Sequence, residues 1–240
     1  MTTFRRVLLT CPHCNCKMEN YGLSSFTVFK SVVFSDGKTD CTPHLPNNET
    51  ILICYNCRKP FWKEDALVRN QGQNKADLPG TMDIYDLPFA GKENFSDNLV
   101  EYYSELLNSG FCNTVIREIY LRIQIWHLLN DKIRYISDSI IDKLIKGLLN
   151  KKSDEASEKA MSEFLEKNQL FNNNLENLNK VYTAETKEEI MQLAEIHREL
   201  GDFETAIGLL KEIDSIENKS TYKAILKAVK AKKTLVFRIN

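Results

Sequence analysis

No apolar run in the 240-residue chain approaches the roughly 20 residues needed to span a bilayer; the longest, such as residues 51–53 and 235–237, fall far short of it. Charge of one sign is not in excess either, with 32 basic against 33 acidic side chains, so whole-chain basicity gives no argument for nucleic acid. The sequence lacks a glycine-rich phosphate cradle ending in Gly-Lys-Ser or Gly-Lys-Thr, an HExxH helix and a GxSxG elbow. Its histidines, His13, His44, His127 and His197, form no metal triad at local spacing. Asp131, Asp138 and Asp142 read as a solvated helix surface rather than as paired general acid and base. No reaction or substrate emerges. The opening residues contain Arg5 and Arg6 but no apolar stretch of signal-peptide length before the cysteines, so a cytoplasmic location is expected. What remains, 42% hydrophobic and 27% charged, is ordinary for a folded globular chain.

Six of the seven cysteines lie in the first 57 residues, and four of them form two identical spacings, Cys11-Pro12-His13-Cys14 and Cys54-Tyr55-Asn56-Cys57. Two residues between paired cysteines allow a tight turn to point both thiolates inward, and two such turns supply the tetrahedral sulfur environment that zinc accepts. One structural Zn2+ per chain on Cys11, Cys14, Cys54 and Cys57 is therefore expected. Thiolates also suit iron and iron–sulfur clusters, but a ribbon context without a redox-partner motif favours zinc. A disulfide framework would need export and an explanation of the odd count. A thiol–disulfide active site would need a helix directly after the first cysteine, where Pro12 stands. Four sulfur ligands close the shell, so the ion holds shape rather than activating water. Cys16, Cys41, His13 and His44 are reserve ligands whose simpler readings are small buried thiols and exposed loop residues, and Cys112 reads as a helix-packing residue.

Between the two cysteine pairs, residues 25–34 are rich in aromatic and β-branched side chains and predict a strand; Asp36-Gly37 predicts a turn, and residues 50–54 predict a second short strand. Residues 1–69 thus form a zinc-ribbon-like β module. Just past the second pair, Arg58, Lys59 and Trp62 could present cations and a stacking ring to nucleic acid, although a ring covering the ribbon core explains Trp62 more simply. Residues 70–95 read as a partly packed connector, with a turn at Pro79-Gly80 and an anchor at Leu87-Pro88-Phe89.

From residue 96 to 240 the apolar period changes from two to about 3.6, which predicts a helical domain and an α+β chain overall. One helix carries Leu99, Tyr102, Tyr103, Leu106 and Leu107 on one stripe and stops at Gly110. A second, buried helix carries Val115, Ile116, Ile119, Tyr120, Ile123, Trp126 and Leu129. Further helices are expected over 139–149 and 155–182, with a break near 169–174.

The spacing of Ile190, Leu193, Ala194, Gly201-Asp202-Phe203, Ala206, Leu210 and Ile213 resembles one tetratricopeptide helix pair, at about 187–217. In that pair the alanines permit close helix crossing, Gly201 makes the turn, and Leu193 with Leu210 fills the seam. His197 belongs to its packing or rim. Shifting by the repeat length in either direction loses the anchors, so a degenerate array and a bundle ending in one repeat-like hairpin both fit. Together, Cys11, Cys14, Cys54, Cys57, Gly201, Phe203 and Ala206 resemble bacterial zinc-ribbon proteins with tetratricopeptide-like tails. The chain departs from their pattern in its long segment between the cysteine pairs and in lacking a glycine directly after Cys57. That resemblance implies an intracellular scaffold or regulator.

Residues 154–217 carry 16 acidic and 6 basic side chains, whereas 219–240 carry 7 basic and none acidic. Lys219, Lys223, Lys227 and Lys230 line one helical face, opposite Tyr222, Ile225, Leu226 and Val229, and residues 234–239 end the chain as a strand. This tail either docks within the chain or meets an acidic partner. The reading is a non-catalytic binding or scaffold protein with a structural zinc and a helical surface for a protein partner. The alternative is a nucleic-acid-binding regulator using Arg58, Lys59, Trp62 and the basic tail.

Overall fold

Thr3–Thr10 (β1) and Lys17–Ser25 (β2) pair antiparallel from Thr10 opposite Lys17 to Thr3 opposite Ser25, so their connection is the first cysteine turn. The structure, a computed structural model, describes residues 3–42, 50–69, 79–82, 87, 95–146, 169–213 and 219–239. The remaining strands are Lys30–Phe34 (β3), Thr39–Thr42 (β4), Ile51–Ile53 (β5), Pro60–Trp62 (β6), Leu67–Arg69 (β7) and Arg238–Ile239 (β8). Six helices are described: Phe95–Asn108 (α1), Val115–Lys146 (α2), Gln169–Val181 (α3), Lys187–Glu199 (α4), Phe203–Lys211 (α5) and Lys219–Lys230 (α6). The architecture is α+β, with helices that pack pairwise in tetratricopeptide-like fashion.

The chain divides into two compact units: Met1–Ser31 with Cys41–Phe95, and Val32–Asp40 with Ser96–Asn240. In the first, the sheet order is β2-β1-β7, and β5 pairs with β6 through Ile51 opposite Trp62. Period-two alternation turns Leu9 and Met18 inward, where they meet Cys11, Leu52, Cys54, Phe61 and Ala66 in one small core. Pro79 and Gly80 do not make the expected turn. They run extended, with Glu19 N–H donating to Pro79 O at 3.0 Å and Ile53 exchanging bonds with Met82 at 3.0 Å, because the backbone edges of β2 and β5 need partners there. The anchor at Pro88-Phe89 lies outside the described residues.

The second unit takes Val32–Asp40, which the sequence places inside the amino-terminal module. The expected strand over 25–34 is two elements: Ser25 ends β2, and β3 begins at Lys30. Ser35, Asp36 and Gly37 turn as expected, Gly37 at φ 85°. The terminal strand is shorter than read, and pairs with β3 through Val33–Ile239 and Phe34–Arg238.

Among the helices, α1 buries Leu99, Val100, Tyr103 and Leu106 as its stripe predicts. Helix α2 runs unbroken for 32 residues and absorbs the separate helix expected from 139; it buries Leu121, Ile125, Trp126, Leu129 and Ile133. Val115 and Ile116, expected on its buried face, are 56% and 79% exposed, whereas Arg117 in the same turn is buried. The expected break at 169–174 is instead the start of α3, where Phe171, Leu175 and Leu178 are buried one helical face apart; residues 155–168 lie outside the description.

The helix pair α4–α5 forms where the repeat-like spacing places it. A capping box starts α4, Thr186 N–H donating to Glu189 at 2.8 Å and Glu189 N–H to Thr186 Oγ1 at 3.3 Å. Gly201 at φ 81° ends it: Gly201 N–H reaches Arg198 O and Asp202 N–H reaches His197 O, closing the last turn. Asp202 then caps α5 by accepting from Thr205 N–H at 3.2 Å. Met191, Ala194, Ala206, Leu210, Ile213, Ile225 and Val229 make a core across α4, α5 and α6. Leu193 is only half-buried, and Met191 takes the seam position opposite Leu210. Among the described residues no helix is long and apolar enough to cross a membrane.

Candidate metal centre

The two cysteine turns have the same backbone. In the first, Cys11 N–H donates to Cys16 O at 2.9 Å and Asn15 N–H to Cys11 O at 3.0 Å; in the second, Cys54 N–H donates to Lys59 O at 3.1 Å and Arg58 N–H to Cys54 O at 2.8 Å. The fifth residue of each, Asn15 and Arg58, is left-handed at φ 57°. That conformation is the one a glycine after Cys57 would have supplied, and the turn forms with an arginine in its place.

These turns bring four sulfurs together. The Sγ atoms of Cys11, Cys14, Cys54 and Cys57 all lie within 4.8 Å of one another, with Cys11–Cys57 at 3.9 Å and Cys14–Cys54 at 3.6 Å. A tetrahedron of zinc–sulfur bonds near 2.3 Å has edges of about 3.8 Å. A disulfide needs about 2.05 Å, and all seven cysteines are free thiols. The donor set is thus able to hold one metal ion through four thiolates.

Its electrostatics are asymmetric. Burial pushes the Cys54 thiol up to about 12, against the backbone N–H groups of Cys57 and Asn56 that favour its thiolate. Burial likewise raises Cys11. Cys14 is held down to about 6 by the Cys16 backbone N–H and the Asn56 side-chain amide, the latter at 3.7 Å. A dication among the four sulfurs would compensate the buried pair, since coordinated thiols ionise outright.

The reserve ligands lie elsewhere. Cys16 donates to Tyr55 Oη at 3.0 Å on the edge of the core. His13 is exposed, its Nε2 3.0 Å from Pro60 O. Cys41 is half-buried in β4 and outside the sulfur cluster, and His44 lies outside the described residues. Cys112 sits between α1 and α2, not in a helix, and burial raises its thiol to about 11. Of the cationic patch, Arg58 and Lys59 are exposed, but Trp62 is 2% exposed and its ring fills the interior. Lys223, Lys227 and Lys230 are exposed opposite buried Ile225 and Val229; the Lys219 side chain is outside the description.

A polar centre that sequence reading missed lies within the helical unit. Asp36, fully buried on the β3–β4 turn, accepts from Arg134 at 2.5 and 3.3 Å and from Asn130 at 3.0 Å. Asn130 also donates to Glu199 at 3.2 Å, which accepts from Trp126 Nε1 at 2.7 Å. Arg198 makes a two-bond pair with Glu195 at 2.6 and 2.7 Å and donates to Lys233 O. Burial would raise Asp36, but the Arg134 guanidinium and the Asn130 amide hold it below the usual carboxylate range. Burial lowers His127, which is therefore neutral at pH 7 and leaves the guanidinium to balance Asp36. Glu199 is raised well above its ordinary range by burial and by Glu195 nearby. Asp36, Glu195 and Glu199 thus meet Arg134 and Arg198 in the interior, where burial favours the uncharged form of Glu199. These bonds tie the β3–β4 turn to α2 and α4, as a structural keystone does.

Compared with known families, curated proteins and solved structures, the chain has no significant match.

Proposed function

We propose that the chain is a non-catalytic binding protein: one zinc ion on Cys11, Cys14, Cys54 and Cys57 holds the β unit, and the tetratricopeptide-like helices dock a protein partner. The observation that carries this reading is the four-sulfur cluster with edges of 3.6 and 3.9 Å. Four thiolates leave no coordination position for substrate or water, which suits a structural ion. Unpaired thiols persist in a reducing compartment, which supports a cytoplasmic setting. The exposed face of α6, with Lys223, Lys227 and Lys230, suits an acidic protein surface.

Metal analysis of purified protein tests the first half: about one zinc per chain, lost in Cys11→Ser and Cys54→Ser and retained in Cys16→Ser. Reduced thiols with no bound metal refute it. Native affinity capture with nuclease treatment tests the second. A protein retained by the wild type and lost from Lys223→Glu/Lys227→Glu is expected; capture of no protein sinks the docking reading.

A further inference from the structure

Each cysteine turn has one residue immediately before its second cysteine, His13 in the first and Asn56 in the second. Both side chains reach out of their own turn toward the other, and they meet different groups there. The His13 ring ends on backbone just past the second turn, its Nε2 3.0 Å from Pro60 O. The Asn56 amide ends on a candidate ligand: Nδ2 donates to Cys14 Sγ at 3.7 Å. A thiolate accepts hydrogen bonds and has no proton to give, so the amide nitrogen is the end of Asn56 that suits it. Tyr55, the residue before Asn56, accepts from Cys16 Sγ at 3.0 Å. Tyr55 and Asn56 together therefore grip both ends of the stretch from Cys14 to Cys16.

Cys14 is the sulfur at which such a donor matters. Cys11 and Cys54 are fully buried against Leu9, Met18, Leu52 and Phe61, whereas Cys14 and Cys57 are half-buried, so solvent and competing chelators reach the cluster at the latter pair. The Asn56–Cys14 bond lies at that surface. Four thiolates around a dication carry surplus negative charge, and hydrogen-bond donors to sulfur draw off part of it while fixing the ligand's orientation. Cys11 has such a donor within its own turn, His13 N–H at 3.4 Å. Cys14 is served from its own turn by Cys16 N–H and from the opposite turn by Asn56. The amide thus ties a sulfur of one turn to the chain of the other, where Cys14 and Cys54 stand 3.6 Å apart.

We propose that Asn56 is a positioning residue for the metal centre: through its side-chain amide it holds the half-buried Cys14 thiolate on the ion and slows release of the metal. The inference rests on the reading of the cluster as a zinc site and goes beyond it, since four sulfurs complete the coordination shell without any other side chain.

The test is the rate of zinc transfer from the full chain to excess chromophoric chelator under reducing conditions, for the wild type, Asn56→Ala, Asn56→Asp and His13→Ala. Asn56→Ala is expected to release zinc at least about tenfold faster than the wild type. Asn56→Asp keeps the shape of the side chain but sets a carboxylate against the thiolate, and should release it faster still. His13→Ala should stay within about twofold of the wild type, because its ring meets Pro60 O rather than a sulfur. Substitution with Co2+ separates a bond to sulfur from a general loosening of the turns. A donor at sulfur lowers the energy of the thiolate lone pairs, so its loss in Asn56→Ala should move the sulfur-to-cobalt charge-transfer band to longer wavelength while the visible bands of tetrahedral cobalt keep their pattern. Release from both Asn56 variants at the wild-type rate, an unmoved charge-transfer band, or an effect of His13→Ala as large as that of Asn56→Ala overturns the proposal. A wild type that holds no metal refutes the zinc reading itself; a wild type that holds zinc no more firmly than the Asn56 variants refutes this inference alone.

Discussion

Asn15 and Arg58 hold the same left-handed backbone at the same place in two turns. For an arginine that conformation costs about 1–2 kcal/mol, so Arg58→Gly should stabilise the β unit by about 1 kcal/mol in a urea titration without changing metal content. Asp36 and Arg134 present the opposite case, two charges whose side chains are 0% and 1% exposed and which neutralise each other. Replacing either alone, Asp36→Ala or Arg134→Met, should cost about 3–5 kcal/mol, and the double replacement less than the sum. Glu199 makes stability depend on pH. Its folded-state proton affinity is raised, so its contribution is full at acid pH and is lost as pH rises above the ordinary glutamate range. His127 acts in the other direction: kept neutral by burial, it withdraws stability as pH falls below about 6.5. Glu199→Gln should therefore gain on the wild type as pH rises from 5 to 8, by at most about 1.4 kcal/mol per pH unit, in urea midpoints taken across that range.

Three residues, Leu200, Gly201 and Asp202, connect α4 to α5, and each serves the turn: Leu200 caps one helix, Gly201 supplies the positive φ, and Asp202 caps the next. A Cβ at Gly201 would meet nothing within 4 Å, so Gly201→Ala isolates the backbone term and should cost about 1–2 kcal/mol, read from a thermal or urea melt. This helix pair was legible because local chemistry builds it: the capping residues, the small alanines and the glycine lie within one short window. Helix α2 was legible only in part. Its apolar period announces a helix, but its exposed Val115 and Ile116 and its buried Asn130 and Arg134 depend on which neighbours cover which turn. No periodic pattern reveals that an arginine will be buried by an aspartate 98 residues away.

Within the long segment between the cysteine pairs, Val32–Asp40 belongs with the helices and the residues on either side of it belong with the cysteine turns. Removing metal with a strong chelator under reducing conditions should melt β1, β2 and β5 to β7 while leaving the helical circular dichroism, because the α4–α6 core and the Asp36 keystone contain no metal ligand. Hydrogen exchange is the measurement: amides of Leu9 and Leu52 should lose protection, and those of Ala194 and Leu210 should keep it. Cysteine spacing, helical period and turn residues settle the α+β class, the four sulfurs and the α4–α5 hairpin, since each is a regularity of neighbouring residues that survives any packing. The pairing of β8 with β3, the burial of Trp62, the exposure of Phe4, Tyr21, Phe26 and Phe29, and the meeting of Asp36 with Arg134 and Glu199 come from contacts between segments far apart in the chain. Those contacts follow from which surfaces exclude water together, and no local window contains that information.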